Sequence, residues 1–567
     1  MEKRPWHRHY VEGVYPTMEY KQIPLKDALA QTAAEFPVRD ALIFLDAKIT
    51  YRELNEAANR FANALIGLGF KPGGKVSLLM PNMPQFVIAA YGTWKAGGVV
   101  VPNNPLYTDA ELEYQINNSD STVLVTLDLL AERMIALKPR TGLKNIIVAH
   151  IRDYLKFPKK QLLPFVAKDK HKNIPPAEGV FEWTNLIKRY PSSDPGIPNK
   201  FDELGALFYT GGTTGVSKGV MLPHSNLSIN TQQVASWFPT FERGKIMEIG
   251  AIPYFHCFGF TCSMNFCIWE GWTNVLIPRP EPQALLEAIT KYRAQLFLGV
   301  PTMYIGMMNH PDLKKYDISS LINCACGSSP LPPEVLERFE NSTGCRVLDN
   351  YGLTETTPGL IMSPYGGTRK LGAAGIPIPD TDLKIVDLET GVRELPAGEA
   401  GEILVRGPQI TAGYYKMPDE TAKAIKDGWL YTGDIGQLDE DGFLYILDRK
   451  KDLIIASGYN VYPNEIDKLL ASHPKIERAC AVGIPDDYRG ETVKVFVTLK
   501  EGESMTPQEV IDFCSEKLAR YKVPKIVEFI RELPTSAIGK VLRKELRRIE
   551  IEKAAQKNKT GSKVYKR

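Results

Sequence analysis

The chain of 567 residues has few cysteines, no strong excess of either charge and no long apolar run. Its 8 cysteines are scattered and form no C-x-x-C pair, which argues against a disulfide framework and against a structural zinc site. The formal net charge of +3 is too small for nucleic-acid binding through bulk electrostatics, and no zinc-finger, helix-turn-helix or RNA-binding signature is found. We therefore expect reduced, mostly buried thiols and no nucleic-acid partner.

Patterns for export or membrane insertion are also missing. The first stretch, MEKRPWHRHYVEG, lacks the apolar core of a signal peptide, and no run reaches the roughly 18 to 20 apolar residues of a membrane span. These patterns predict a cytoplasmic protein. The segment 152–172, RDYLKFPKKQLLPFVAKDKHK, mixes apolar residues with lysines. It is interpreted either as a peripheral contact with anionic lipid at the inner face of the membrane or as a solvated basic loop.

The composition itself is that of a globular protein, with 44% hydrophobic and 24% charged residues. Apolar runs such as KVSLLM, GVVVP and TVLVT alternate with amphipathic stretches, which predicts the α/β class with layered parallel sheets and helices. From about residue 372, short strands such as GEILVRG are punctuated by glycine and proline, which indicates a small β-barrel subdomain. A further α+β unit is predicted to begin near LDRKKDLI.

The stretch YTGGTTGVSKGV at 209–220 has the chemistry of a phosphate-binding loop. In a Walker loop the lysine directly follows the second glycine, whereas Val216 and Ser217 separate Gly215 from Lys218 here. The Walker interpretation therefore fails. Glycine-rich backbone, threonine hydroxyls and a lysine charge still suit a polyanion. On this stretch alone, a flexible polar turn between a strand and a helix remains an equal alternative.

Four other stretches carry residues typical of nucleotide chemistry: NYGLTETTP (350–358), GWLYTGDIG (428–436), DRKKDLIIASGYNVYPNEI (448–466) and PTSAIGKVLRKEL (534–546). Each alone has a structural explanation, such as a buried tyrosine or a turn aspartate. In this order and spacing they resemble the adenylate-forming superfamily of acyl-CoA synthetases, luciferases and peptide-synthetase adenylation domains. Residues 427–454 are similar to the signature stretch of long-chain fatty acyl-CoA synthetases, and the closest resemblance is to the bacterial enzymes.

The resemblance implies an AMP-forming acid–thiol ligase that uses ATP, Mg²⁺ and coenzyme A. In the family, a carboxylate attacks the α-phosphate to give an acyl-adenylate and pyrophosphate, and the coenzyme A thiol then displaces AMP. A long-chain fatty acid is the substrate implied. An aryl- or medium-chain acyl-CoA ligase, a ligase that loads an acyl-carrier protein, and a non-catalytic sensor with this fold remain alternatives. A homodimer is also left open, without a residue-level argument.

The resemblance also implies roles for individual residues in binding ATP. The β- and γ-phosphates would lie against Thr210, Thr213, Thr214 and Lys218. Glu355 would hold Mg²⁺, with Thr354 on a phosphate oxygen. The adenine and ribose would contact Gly327, Asn350, Tyr351, Asp434 and Arg449.

The remaining roles belong to catalysis, domain rotation and the acyl group. Lys540 would bridge the substrate carboxylate and the α-phosphate in the adenylation transition state. Lys451 would be the hinge about which the C-terminal domain rotates, and Gly458 would then face the pantetheine channel. His256, in PYFHCFGF, would lie between the acyl tunnel and the coenzyme A entrance, although a buried histidine among phenylalanines is commonly structural. Ile455 stands where aryl-CoA ligases carry a second lysine, which favours fatty acids.

The implied domains are an ATP- and acyl-binding domain (1–447) with its β-rich part (372–447), a hinge (448–452), a mobile domain (453–550) and a basic tail (551–567). The last eleven residues, KNKTGSKVYKR, are predicted to be disordered.

Overall fold

The structure is a computed structural model that describes residues 4–158, 160–161, 171–210, 217–327, 331, 333–456, 459–486, 490–536 and 539–561. The predicted site residues Thr213, Thr214 and Gly458 lie outside these ranges, as do residues 159 and 162–170 of the predicted lipid-contacting segment.

The chain divides into two compact units. One consists of Met1–Leu383 with Val405–Leu430, and the other of Lys384–Leu404 with Tyr431–Arg567. The domain and hinge boundaries expected from the sequence stay a prediction.

The first unit contains a nine-stranded sheet. Its strands run in the order Ile376–Pro377, Ile361–Met362, Val347–Tyr351, Asn323–Cys326, Leu296–Gly299, Met247–Gly250, Thr273–Leu276, Asp40–Phe44 and Ala47–Thr50. Pairing is parallel from Val347–Tyr351 to Asp40–Phe44 and antiparallel at both edges. The central strands are buried on both faces, as parallel strands covered by helices require.

The second sheet of this unit has seven strands, in the order Val180–Glu182, Asn145–Ala149, Ser121–Leu127, Lys75–Leu79, Val99–Pro102, Leu204–Thr210 and Lys218–Pro223. Every pair is parallel except the last, which is an antiparallel hairpin. That hairpin carries the predicted phosphate loop.

Helices cover these sheets: Leu25–Glu35, Tyr51–Gly67, Pro84–Lys95, Asp109–Ser119, Asp128–Leu137, Trp183–Ile187, His224–Ser236, Phe266–Glu270, Pro282–Tyr292, Pro301–Met308, Pro333–Thr343 and Pro418–Ala424. The helix Pro84–Lys95 is buried along its whole length, which explains its nearly continuous apolar sequence. Thr50 and Thr108 start their helices with capping boxes, because each threonine and the glutamate three residues later satisfy each other's free backbone N–H groups.

Two smaller sheets follow in the sequence. The first has the order Asp382–Val386, Gly401–Arg406, Trp429–Leu438 and Ile425–Lys426, with Leu444–Arg449 beside Trp429–Leu438. The second has the order Tyr459–Val461, Ile454–Ala456, Gly490–Leu499 and Ile476–Asp486, with Ile526–Phe529 beside Gly490–Leu499. The helices Pro463–Ala471, Pro507–Ser515 and Arg543–Gly561 accompany the second sheet.

The predicted fold class is confirmed: layered parallel sheets with helices, a β-rich region and an α+β C-terminal part. The prediction of a disordered tail is wrong for residues 557–561, because the helix Arg543–Gly561 continues through them. Its first turns are fixed by packing, with Leu546 only 3% exposed, and the polar residues that follow extend the helix without needing a core.

Two other expectations concern the state of the cysteines and the presence of membrane-spanning helices. All eight cysteines are unpaired and buried, as predicted. Among the described helices, none has the length and hydropathy that crossing a membrane requires.

Candidate active site

The hairpin of the seven-stranded sheet fixes both ends of the predicted phosphate loop. Thr210 ends one strand, Lys218 begins the next, and the two residues lie directly opposite each other. The Ser217 hydroxyl donates to the Thr210 carbonyl oxygen over 3.0 Å, and the Tyr114 hydroxyl donates to the Ser217 carbonyl oxygen over 3.0 Å. A hydroxyl and a cation therefore flank the loop, and the residues around them are tied down by hydrogen bonds.

The Lys218 ammonium is held by two side chains. It donates to the Glu420 carboxylate and lies 4.8 Å from the centre of the Tyr414 ring. Hydrogen bonds from Lys218 and then from Lys423 lower the pKa of Glu420 to about 2, so Glu420 is ionised at neutral pH. A polyphosphate that binds Lys218 must therefore compete with an internal carboxylate.

The same tyrosine contacts the predicted magnesium ligand. The Tyr414 hydroxyl donates to Glu355 Oε1 over 3.0 Å. Desolvation and the negative charge of Glu355 raise the pKa of Tyr414, which keeps the phenol a neutral donor. The backbone N–H of Thr411 also donates to the Glu355 carbonyl oxygen over 2.8 Å. Tyr414 thus links Lys218 to Glu355.

Tyr414 and Glu420 were not predicted from the sequence. Both belong to the stretch GYYKMPDET at 413–421, which carries an aromatic pair, a lysine and two acids in one polar run. This composition is the one signal that could have singled them out. Their contacts could not be read from the sequence, because Glu420 lies 202 residues beyond Lys218 in the chain.

The predicted adenine-binding residues lie at the carboxyl ends of two adjacent parallel strands. Gly327 follows the strand Asn323–Cys326, and Asn350 and Tyr351 end the neighbouring strand, whose Asp349 pairs with Cys326. Ligands of open α/β sheets commonly bind at this edge. The Asn350 Oδ1 atom is buried and has no hydrogen-bond partner among the described residues. An unpaired buried carbonyl oxygen is suited to accept from an amine.

The motif PYFHCFGF packs against this edge. His256 Nδ1 accepts a hydrogen bond from the Phe258 backbone N–H over 3.2 Å, which fixes the ring and caps the short helix Cys257–Gly259. A Cβ atom at Gly327 would lie 2.8 Å from the Phe258 ring, so this position has no room for a side chain. The motif continues into a buried π-helical segment, Phe260–Asn265. His256 is thus half-buried and held by this hydrogen bond, while Phe258 lies beside Gly327.

A buried carboxyl group lies beneath that segment. Glu248 is 0% exposed, and its Oε2 atom accepts from the Cys267 thiol and from Asn274 Nδ2. Its Oε1 atom has no partner among the described residues. Desolvation raises the pKa of Glu248 to about 8, despite the hydrogen bonds that lower it. Glu248 is therefore mostly protonated at neutral pH.

In the second unit, Asp434 and Arg449 form the predicted ribose site. They lie opposite each other on antiparallel strands, and Arg449 Nε lies 3.1 Å from Asp434 Oδ1. Asp434 is 4% exposed, while Arg449 is half-buried. An ionised carboxylate beside a planar donor group can accept from two hydroxyls at once.

Lys540 belongs to a tight loop of the same unit. The Ser536 N–H donates to the Lys540 carbonyl oxygen over 2.8 Å, and the Lys540 N–H donates to Ser536 Oγ over 3.2 Å. Lys540 is exposed at the loop surface, yet its pKa is lowered to about 8. Desolvation of the ammonium is the larger cause and the charge of Arg449 is the next, while Asp434 acts in the opposite direction. The structure therefore brings Lys540 into the electrostatic field of the ribose-site pair.

The predicted hinge residue lies next to this pair. Lys451 is the central residue of the short helical turn Lys450–Asp452. Desolvation, followed by the charge of Arg449, lowers the pKa of Lys451.

An arginine that the sequence analysis did not single out connects the hinge region to the loop of Lys540. Arg543 donates to Asp467 Oδ2 and lies 3.7 Å from carboxylate oxygens of both Asp448 and Asp452. Burial raises the pKa of Asp467 to about 6 even beside this guanidinium. Arg543 begins the helix that follows the Lys540 loop, so its contacts fix where that loop ends.

Comparison with known proteins identifies the class. Residues 29–415 match the AMP-binding enzyme family, and residues 465–540 match the AMP-binding enzyme C-terminal domain. The chain belongs to this family of enzymes, which confirms the resemblance inferred from its motifs.

Individual relatives cover nearly the whole chain. A long-chain-fatty-acid–CoA ligase of Bacillus subtilis (strain 168) is 41% identical over 97% of this chain and 99% of its own length. A long-chain-fatty-acid–CoA ligase of Escherichia coli O157:H7 is 38% identical over 92% of this chain and 94% of its own. Among solved structures, ATP-bound MatB from Rhodopseudomonas palustris superposes with a TM-score of 0.82 at 29% identity, covering 93% of this chain and 99% of that one.

Proposed function

We propose that this protein is a long-chain fatty acid–CoA ligase that forms AMP. The observation that carries the proposal is the full-length similarity to bacterial ligases of that name. The three residues to which the resemblance gives roles in ATP chemistry, Lys218, Glu355 and Lys540, are all present. A sensor without catalysis would have no need for all three groups.

The first step forms a mixed anhydride. One carboxylate oxygen of the fatty acid bonds to the α-phosphorus of ATP as the bond from that phosphorus to the β-phosphate bridging oxygen breaks. Pyrophosphate leaves with the added charge. Thr210 and Lys218 are the described residues that would bind this leaving group, with Thr213 and Thr214 proposed from the sequence alone. Glu420 would release Lys218 when the phosphates arrive.

The residues around Glu355 fit a magnesium ion. Glu355 offers one hard carboxylate oxygen ligand, and its other contacts to Tyr414 and Thr411 hold the residue in place. Mg²⁺ in such sites commonly takes one or two protein carboxylates and fills its remaining positions with substrate phosphates and water. The ion would supply charge neutralisation for the phosphates, and Thr354 would bind a neighbouring phosphate oxygen.

The nucleoside would be bound by the residues that the resemblance implies for adenine and for ribose. The unpaired Asn350 Oδ1 atom would accept from the exocyclic amine of adenine, with Tyr351 and Gly327 as the flat walls. Asp434 would accept from the two ribose hydroxyls, and Arg449 would add donors.

Lys540 would stabilise the charge that develops between the fatty-acid carboxylate and the α-phosphate. A pKa of about 8 leaves the ammonium mostly protonated at neutral pH, and bound phosphates would favour that form further. Thioester formation requires Lys540 to leave, and we assign the hinge to Lys451 and the pantetheine contact to Gly458. His256 and Phe258 would then line the passage between the acyl group and the incoming thiol.

The test is a substrate panel. AMP and acyl-CoA are measured with ATP, Mg²⁺ and coenzyme A across saturated acids from acetate to stearate, with cinnamates alongside. We expect the highest kcat/KM with long chains, which the exposed Ile455 in place of a second lysine also favours. Preference for short or aromatic acids would contradict the substrate class. AMP release that requires an acyl-carrier protein would identify that carrier protein, rather than coenzyme A, as the acyl acceptor.

Peripheral membrane contact through the segment 152–172, a cytoplasmic location and a homodimer remain predictions. Co-sedimentation with anionic vesicles tests the first and sedimentation equilibrium tests the last. Vesicle binding that persists after the segment is deleted would contradict the assignment of the contact.

A further inference from the structure

A cluster of two histidines and an aspartate lies in the seven-stranded sheet. In the strand order it is near the end opposite the phosphate hairpin. Asp128 follows the strand Ser121–Leu127, and His150 follows the neighbouring parallel strand Asn145–Ala149, with Leu127 paired to Ala149. The carboxyl ends of adjacent parallel strands therefore bring these two side chains together. His171 joins them from the chain just beyond residues 162–170.

The three side chains share one oxygen atom. His150 Nδ1 lies 2.8 Å from Asp128 Oδ2, and His171 Nδ1 lies 2.9 Å from the same atom. The two imidazole rings are 5.1 Å apart between centroids. Among the described residues, this is the only group of three histidine, cysteine or acidic side chains whose ligand atoms lie within 4.8 Å of one another.

The cluster is buried and negatively charged at its centre. Asp128 is 1% and His150 is 3% exposed. Besides the two histidine nitrogens, the Lys172 backbone N–H donates to Asp128 Oδ2 over 2.9 Å. A buried carboxylate of this kind requires cations or strong donors around it.

His150 also has a carboxylate on its other side. Its Nε2 atom lies 3.6 Å from Glu182 Oε1, while Nδ1 faces Asp128. A neutral imidazole carries one N–H and can donate to only one of these two acidic groups. A metal ion on Nδ1 would leave the proton on Nε2, directed at Glu182. A carboxylate that accepts from the second nitrogen of a ligand histidine is the usual support of such sites.

We propose that Asp128, His150 and His171 form a binding site for a divalent transition metal of the Zn²⁺ class, with Glu182 as the support of His150. Two imidazole nitrogens and one carboxylate oxygen form a donor set that Zn²⁺ accepts, with a fourth position for water. The ligand atoms need to move apart by about half an ångström to reach tetrahedral spacing around Zn–N and Zn–O bonds of about 2.0 to 2.2 Å. The ion would fasten the chain at His171 to the edge of the sheet.

The proposal does not depend on the ligase reaction. The donor set of this cluster, with its histidine nitrogens, differs from that of the Glu355 site, where a single carboxylate suits Mg²⁺. The eight cysteines are all buried and do not offer an exposed thiolate that would compete for the metal.

The experiment uses the full-length, tag-free protein after treatment with a chelator. Zn²⁺ content is measured after equilibrium dialysis, and the visible spectrum is recorded with Co²⁺ as the probe. We expect one ion per chain, the intense absorption of tetrahedral Co²⁺, a higher melting temperature with Zn²⁺, and no competition from millimolar Mg²⁺.

The variants distinguish a site from adventitious binding. His171→Ala and Asp128→Asn should lose the Co²⁺ spectrum and the Zn²⁺-dependent rise in melting temperature, and Glu182→Gln should weaken the affinity about 10- to 100-fold. His310→Ala, a histidine elsewhere in this unit, is the matched control and should bind as the parent protein does. Absence of bound metal in the parent protein, or equal binding by His171→Ala, would overturn the proposal and leave a hydrogen-bonded clasp.

Discussion

Replacing the buried Glu248 is the sharpest test of the structure beneath the motif PYFHCFGF. Replacing Glu248 by glutamine keeps the shape of the protonated side chain and removes its titration. The amide oxygen can still accept from the Cys267 thiol and from Asn274, as Oε2 does now. The substitution therefore isolates the free energy of keeping a proton on this group.

The size of the effect follows from the raised pKa. The ordinary value is 4.5 and the value in the folded protein is about 8. Between these pH values the folded state holds a proton that the unfolded state has released, so the free energy of unfolding falls as pH rises, by about 1.4 kcal/mol for each pH unit. At pH 7 the accumulated loss is about 3 kcal/mol. Glu248→Gln should recover that amount at pH 7 and almost nothing below pH 4.5.

The assay is urea unfolding at pH 5, 6, 7 and 8, followed by tryptophan fluorescence. Trp272 is a suitable reporter, because its backbone N–H donates to the Cys267 carbonyl oxygen over 2.8 Å. Glu287→Gln, on an exposed helical face, is the control and should leave the pH dependence unchanged. Parallel stability curves for Glu248→Gln and the parent protein across this range would refute the reasoning.

Three further predictions concern the site. Tyr414→Phe removes the hydrogen-bond donor to Glu355. Because a hydrogen bond to a charged group contributes about 1.5 to 3 kcal/mol, we expect adenylation to slow at least tenfold while the KM for the fatty acid stays constant. An unchanged adenylation rate at every Mg²⁺ concentration would contradict the role of the contact between Tyr414 and Glu355. Lys540→Ala should lower the rate of adenylation by about 10² to 10³ and spare thioester formation from supplied acyl-adenylate; equal loss in both half-reactions would exclude its role in the first step. Arg543→Met leaves the half-buried Asp467 without its partner and should destabilise the second unit by about 3 to 5 kcal/mol in thermal unfolding, whereas Arg548→Met, with an exposed side chain, should not. Equal melting temperatures of the two variants would contradict the network around Arg543.

The sequence predicted the fold class well because its signals are local. Parallel strands such as Leu296–Gly299 are apolar throughout, and the helices at Tyr51–Gly67 and Asp109–Ser119 begin with threonine and glutamate at capping-box spacing. The end of the last helix was misjudged for the same reason. Its polar final residues resemble a free tail, while the helix that they extend is set by packing further back.

The sequence could propose site residues only where a short motif carries them. Lys218 and Glu355 were proposed because each lies in such a motif, but Tyr414, which contacts both, lies in neither. The histidine cluster and Arg543 depend on contacts across strands and helices. Such contacts are set by the register of the sheets, which no local pattern encodes.

The central claim is that this protein activates a fatty acid as its adenylate, with Lys540 acting in that step. The most direct measurement is pyrophosphate–ATP exchange with palmitate in the absence of coenzyme A, for the parent protein and for Lys540→Ala. The account predicts palmitate-dependent exchange in the parent protein and a loss of about 10² to 10³ in the variant, with ATP binding retained. Exchange that does not depend on the fatty acid, or that proceeds at the parent rate in Lys540→Ala, would contradict it.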